Sequence, residues 1–245
     1  MLRRLGPALV VCAGLVVPVV AGAQTADELI ARNVEAKGGL ERIRAVQTLR
    51  MTGRMTVAPG TEAPFVMEIE RPNKMRLDFT VEGQSGSQAF DGKTGWQFLP
   101  FAGHREPQQL PTQVTRGLEE QADFAGPLVG ARAKGTQVAY AGTVKLDTGE
   151  AHKLVLTLAN GEERTIYLDG RSYLEVRGEA TVKARGREIV MESIIADHKP
   201  VDGLVLPHRM ESGPRGAPEK MRMVVEMYEL NVPIDGARFA MPGKK

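Results

Sequence analysis

Cysteine is almost missing from this chain. Of 245 residues only Cys12 is one, and it lies in a stretch that reads as a cleavable leader. Without further cysteine there are no disulfides, no thiolate–zinc sites and no thiol nucleophile. Aromatic residues are scarce as well, at 5%, with Trp96 the single tryptophan. A surplus of charge is also lacking. Removing residues 1–23 takes away Arg3 and Arg4, two of the 32 basic residues, and leaves 30 basic against 30 acidic. A balanced surface gives no support for nucleic acid or an anionic membrane as partner.

Catalytic patterns are absent too. His104, His152, His198 and His208 stand at no metal-ligand spacing, and there is no H-E-x-x-H and no G-x-S-x-G. Glu119-Glu120 and Glu162-Glu163 are neighbouring carboxylates, but acid–base work needs one of a pair shifted by burial. They read as a polar helix face and a hairpin flank. No catalytic, cofactor-binding or metal residue is expected, no cofactor, and no enzyme.

The opening MLRRLGPALVVCAGLVVPVVAGAQ has the parts of a secretory signal peptide: a basic start, a short apolar run broken by Pro18, and Ala21-Gly22-Ala23 before Gln24. The run is short for a membrane span. Val11 before Cys12, with little apolar chain upstream, does not fit a lipoprotein signal. The expectation is a leader over 1–23, no stable membrane anchor, and one exported domain over 24–245, large enough to hold together without disulfides.

Thr25-Ala26-Asp27-Glu28 forms a capping box: the threonine caps a helix start and the glutamate answers three residues on. Gly38-Gly39 ends that helix. Then the period changes to two. Leu49, Met51, Met55 and Val57 alternate with polar residues, as do Phe65, Met67 and Ile69, and then Met75, Leu77, Phe79 and Val81. These are half-buried antiparallel strands, one face apolar and one wet. Later runs follow suit, with a hairpin signal at Asn160-Gly161 and a last strand carrying Met221, Met223, Val225 and Met227. Between the halves, residues 114–124 read as a helix stopped by Gly126-Pro127. The order of helix, strands, short helix, strands predicts one antiparallel sheet with helices on one face.

Gly92-Lys93-Thr94 is like the end of a phosphate-binding loop. That motif needs a glycine where Ser87 stands, and a helix where Gly95-Trp96-Gln97-Phe98 continues as strand. A hairpin turn is the better reading, with Asp91 bonding the turn backbone.

Methionine is the surplus: ten besides Met1. Met51, Met55, Met67, Met75, Met221, Met223 and Met227 fall on predicted apolar faces. A flexible, polarizable side chain lines surfaces that fit variable apolar partners, and it also fills ordinary cores; both readings stand. With Phe65, Ile69, Leu77, Phe79, Phe90, Trp96 and Phe98 these methionines are the candidate lining of a hydrophobic cavity. Phe98, Leu99, Phe101, Leu118 and Phe124 are a candidate lip or lid; packing of that run on the 114–124 helix is the plainer alternative.

The helix ending Ala36-Lys37-Gly38-Gly39-Leu40 and the strand Leu49-Arg50-Met51-Thr52-Gly53 resemble the periplasmic outer-membrane lipoprotein-sorting proteins, the LolA- and LolB-like carriers. So do Arg71-Pro72-Asn73-Lys74-Met75-Arg76, the segment 90–96, the segment 122–128 and the ending Phe239-Ala240-Met241-Pro242. The resemblance implies an α+β, mainly antiparallel half-barrel, strongly curved, with helices on its concave side and a hydrophobic cavity between. It implies a periplasmic carrier of lipid or lipoprotein acyl chains for transfer toward the outer membrane, expected as a monomer meeting inner- or outer-membrane partner proteins. The alternative on the same fold is a protein-binding envelope sensor without lipid transfer.

Overall fold

The computed structural model describes residues 24–243 except 185. The expected leader, with Cys12, lies outside them. Helix α1 (Ala26–Ala36) starts at the capping box: Thr25 Oγ1 accepts from Glu28 N at 3.2 Å, and Glu28 Oε2 accepts from Thr25 N at 3.0 Å. Helix α2 (Leu40–Ala45) follows at once. Gly38, at φ +111°, makes the corner between them. A Cβ there would lie 2.3 Å from the Gly203 carbonyl oxygen.

Six strands come next: β1 (Thr48–Ala58), β2 (Thr61–Glu70), β3 (Lys74–Val81), β4 (Gln84–Phe90), β5 (Gly95–Phe98) and β6 (Gln108–Gln109). Helix α3 (Thr112–Ala122) and an irregular segment then lead to seven more. These are β7 (Gln137–Leu146), β8 (Gly149–Thr157), β9 (Glu163–Asp169), β10 (Glu175–Ala184), β11 (Arg187–Val201), β12 (Leu204–Pro214) and β13 (Met221–Leu230). Among the described residues they form one thirteen-stranded antiparallel sheet in the order β6-β5-β4-β3-β2-β1-β13-β12-β11-β10-β9-β8-β7. With β6 and β7 at its two edges, the sheet is an open, curved half-barrel, and the helices pack on its concave side. The expected fold class is the one observed.

Strand β7 was not anticipated. Its residues alternate between exposed and half-buried, with Val138, Tyr140, Val144 and Leu146 on the half-buried side, so the period-two signal was there to read. The turn at 91–95 is the expected hairpin: Asp91 Oδ1 accepts from Lys93 N at 2.9 Å and Thr94 N at 2.7 Å.

Two apolar clusters fill the concave side. The larger joins β1–β4, β12 and β13 to Ile43 of α2 and to Leu118 and Ala122 of α3. The smaller sets Leu29 of α1 on Leu154, Leu156, Ile166 and Leu168 of β8 and β9. Buried Asn33 fixes α1 further, its Nδ2 donating to the Tyr173 carbonyl at 2.9 Å. Burying such side chains contributes about 1.5–3 kcal/mol each, so the helices are held by packing more than by their own propensity.

Candidate functional site

Cross-strand partners share a face, so the register assigns every candidate to one side of the sheet. One concave row runs Ile195, Met210, Met223, Met55, Ala63. Another runs Tyr228, Met51, Met67, Leu77, Gln88, Gln97. A third carries Ile69, Met75 and Phe90. Phe65 and Phe79 pair with each other on the same side. The structure therefore brings Met51, Met55, Phe65, Met67, Ile69, Met75, Leu77, Phe79, Phe90 and Met223 together against α2 and α3.

Three candidates face the other way, along two convex rows. One reads Met227, Thr52, Val66, Asp78, Ser87, Phe98; the other reads Glu229, Arg50, Glu68, Arg76, Ala89, Trp96. Met227 is turned by a bulge. Thr52 pairs with Met227 but Gly53 with Val225, so the extra residue, Glu226, reverses the alternation. Tyr228 takes the inward place, and Met227 is left 50% exposed. Trp96 and Phe98 face outward because β5 offers Gly95 to the inside. A Cβ on Gly95 would sit 2.6 Å from Thr115 Oγ1 of α3, and one on Gly86 would sit 2.7 Å from the Phe101 ring. Glycine in these inward positions is what lets helix and loop lie against the sheet.

Of the lip residues, Phe101 meets Phe79 with ring centroids 5.6 Å apart, and Leu99 lies over Gly86. Leu118 is buried in the larger cluster, and Phe124 packs against it beneath the Arg71 guanidinium, 4.8 Å from the ring centroid. Phe98 does not join them.

Trp96 is sealed from outside by the C-terminal segment. Its Nε1 donates to the Phe239 carbonyl at 2.8 Å, and Phe239 is fully buried. Charges weave the segment down. Arg50 and Arg238 donate to buried Glu68 at 3.0 and 2.7 Å, and Arg238 also reaches Asp78 at 3.0 Å. Burial works against ionised Asp78, but bonds from Arg76 and Ser87 and the charges of Arg76 and Arg238 outweigh it and hold the carboxyl below its ordinary range.

On the concave side the cover is uneven. Met51, Met55, Met67, Met75 and Met223 are at most 8% exposed, whereas Met221, opposite Ser212, is 45% exposed. Met191 and Met210 beside it are half-buried. Thus an apolar floor leaves the helix-covered core and emerges on β10–β13. Met191 and Met210 were not among the residues expected in this band. Met191, Ser193 and Ile195 share one register on β11, and that alternation was the available signal.

Arg164 was missed as well. It stands in the inward register with Ile166 and Leu168 on β9, and its Nη2 reaches both Glu120 of α3 and Glu162 at 2.8 Å. Arg116 of α3 adds a bond to Glu162 at 3.3 Å. Burial lowers the affinity of Arg164 for its proton, yet the two carboxylates reverse this and raise its pKa. The glutamates read as merely solvated are thus the tie between α3 and the far half of the sheet. An arginine spaced two from Ile166 on an apolar face was the visible clue.

A recess of about 300 Å³ near the start of α1, walled by Ile30, Val138 and Arg132, lies apart from this floor. Among the described residues no group of three or more His, Cys, Asp or Glu is placed to hold a metal ion, and no helix is long and apolar enough to cross a membrane.

Exposure sets an order of oxidation. A two-electron oxidant adds oxygen to accessible thioethers first. Dilute hydrogen peroxide is expected to oxidise Met227, Met221 and Met241, 50%, 45% and 39% exposed, well before Met51, Met67 or Met75. Peptide mapping by mass spectrometry checks this; early oxidation of Met75 would contradict the packing described.

These features define an architecture: an unclosed antiparallel barrel whose apolar concave face is partly roofed by helices. It is the LolA-like fold. A LolA superfamily protein from Nitrosomonas europaea matches over 89% of this chain and 98% of its own, with a TM-score of 0.58 and 14% identity. A putative outer membrane lipoprotein-sorting protein domain from Vibrio parahaemolyticus matches over 86% and 97%, with a TM-score of 0.56 and 10% identity. No protein-family model matches the sequence, and no curated protein matches it.

Proposed function

We propose that the protein is an exported, periplasmic carrier that shelters an acyl chain on its methionine-lined concave face. The observation that carries this reading is the continuity of that face, from buried Met55 and Met223 through half-buried Met210 and Met191 to exposed Met221. Sheltering an acyl chain is worth about 0.8 kcal/mol per CH₂, on the order of 10 kcal/mol for a chain of about fourteen carbons. A bilayer offers nearly the same, so cargo exchanges with a membrane at little cost in either direction. Helix α3 is the movable part of the roof in this reading. Its bonds to Arg164 and Glu162 are partly exposed ion pairs, which are weak individually and so suited to opening.

Native mass spectrometry of protein purified from an envelope extract is the test, together with titration of a fluorescent fatty-acid probe. The wild type is expected to carry acyl-chain adducts and to bind the probe. Met221→Glu puts a charge on an already exposed concave position, so it should keep the fold and weaken probe binding at least tenfold. Met227→Glu, on the convex side, should leave binding unchanged. A wild type with neither adduct nor probe binding sinks the reading.

A further inference from the structure

An apolar floor holds an acyl chain without choosing its end. Orientation needs a polar group with a free bonding site, since ligand pockets are mostly apolar with a few placed polar atoms. Most polar side chains on the concave wall already have partners. Ser193 and Ser212 bond each other at 2.9 Å, Gln88 and Gln97 lie 3.4 Å apart, and Arg164 is held by two carboxylates.

His208 differs. It lies on β12 in the same inward register as Leu206 and Met210, one step below the open part of the band. Its ring meets Tyr228 edge-on, with centroids 5.1 Å apart, and the Tyr228 hydroxyl is already spent on the Pro207 carbonyl. His208 Nδ1 stands 3.2 Å from the Leu206 carbonyl oxygen. A carbonyl only accepts, so Nδ1 is the donor in this contact, and in a neutral ring Nε2 then presents a lone pair. That atom meets no partner among the described residues and is not among the side-chain atoms sealed from solvent. His152 is the contrast: its Nε2 is unpartnered but sealed.

We propose that His208 anchors the head of the acyl cargo through Nε2, so that the groove selects chains whose head donates a hydrogen bond: a carboxylic acid, a hydroxyl or an amide N–H. The proposal rests on the carrier reading above and adds the specificity that reading lacks. Against a carboxyl head the bond is one proton shared between the carboxyl oxygen and Nε2, whichever group brings it. An ester head has no proton to offer and leaves Nε2 unsatisfied, at the cost of a lost bond.

The test compares palmitic acid, palmitamide and methyl palmitate as competitors of a fluorescent acyl probe on the full chain. Wild type should bind the acid and the amide about five- to tenfold more tightly than the ester. His208→Phe should bind all three alike, at the strength of the ester on wild type. His208→Gln, whose amide oxygen accepts, should restore part of the preference, and thermal melts of both variants show that the fold is kept. Equal binding of the three competitors to wild type overturns the anchor and leaves the carrier reading standing. No binding of any of them overturns both. Preference for the amide alone still supports an accepting Nε2; preference for the acid alone, with the amide no better than the ester, would mean that charge holds the head and overturns the lone-pair anchor.

Discussion

Met223→Asp is expected to destabilise the domain strongly, while Met227→Asp, four residues on in the same strand, should be almost silent. The two methionines are alike in sequence and opposite in place. Met223 is 8% exposed and pairs with Met55 and Met210 on the concave floor; Met227 is 50% exposed on the convex side. An aspartate at 223 leaves a carboxylate with no cationic partner on that row, a change that costs several kcal/mol. Against a typical stability of about 5–15 kcal/mol, a loss of about 4 kcal/mol lowers the melting temperature by roughly 8–16 °C for a domain of this size. The aspartate at 227 meets water and should stay within about 0.5 kcal/mol. Thermal denaturation followed by circular dichroism decides it. Equal losses at both sites would mean that the bulge at Glu226 is not there.

Removing the Phe239 ring is the second large effect. Phe239 is fully buried against β3–β5, with its carbonyl on Trp96 Nε1 and the Lys74 ammonium 5.7 Å from its ring centroid. Phe239→Ala should cost about 3–5 kcal/mol, roughly 10 °C in melting temperature. Trp96 gives a local readout. As the single tryptophan, buried at 1% exposure, it should emit at short wavelength in wild type and shift to the red in the variant. An acyl ligand on the opposite face of the sheet should leave its emission unchanged. A strong spectral response of Trp96 to lipid would place the ligand on the convex side and contradict the site described.

Much of this was legible in the sequence, for a physical reason in each case. A capping box is a local contact, so Thr25 and Glu28 announced α1. The turn at Asp91 is local too. Strands with one wet face betray themselves by alternation, and Met51, Met55, Met67 and Met75 were placed correctly by it. What failed depended on something distant or on one residue's count. A bulge adds no signal of its own, so Met227 was carried along by a period that Glu226 breaks. Trp96 looked like core because it is large and apolar. Its face was decided by Gly95 beneath α3 and by a carbonyl more than a hundred residues away. Arg164 and Glu120 come from different halves of the chain, and neither identifies the other until the sheet curves.

The order of the strands has a further consequence, for how the molecule comes together. Every pairing in the sheet joins strands consecutive in the chain except one, where β1 meets β13 and Leu49 lies opposite Leu230. Each half is a ladder of local hairpins, which pay little loop-closure entropy and form early. The β1–β13 contact joins the first strand made to the last and is expected to form last. Until it forms, β1 carries a row of unpaired amides beside its methionines, an edge open to wrong pairing. Gly53 stands at that junction, where a Cβ would lie 2.0 Å from the Val224 carbonyl oxygen. The closing seam of the sheet thus has no room for a side chain at Gly53, and until it closes the chain presents an edge to any strand that reaches it first.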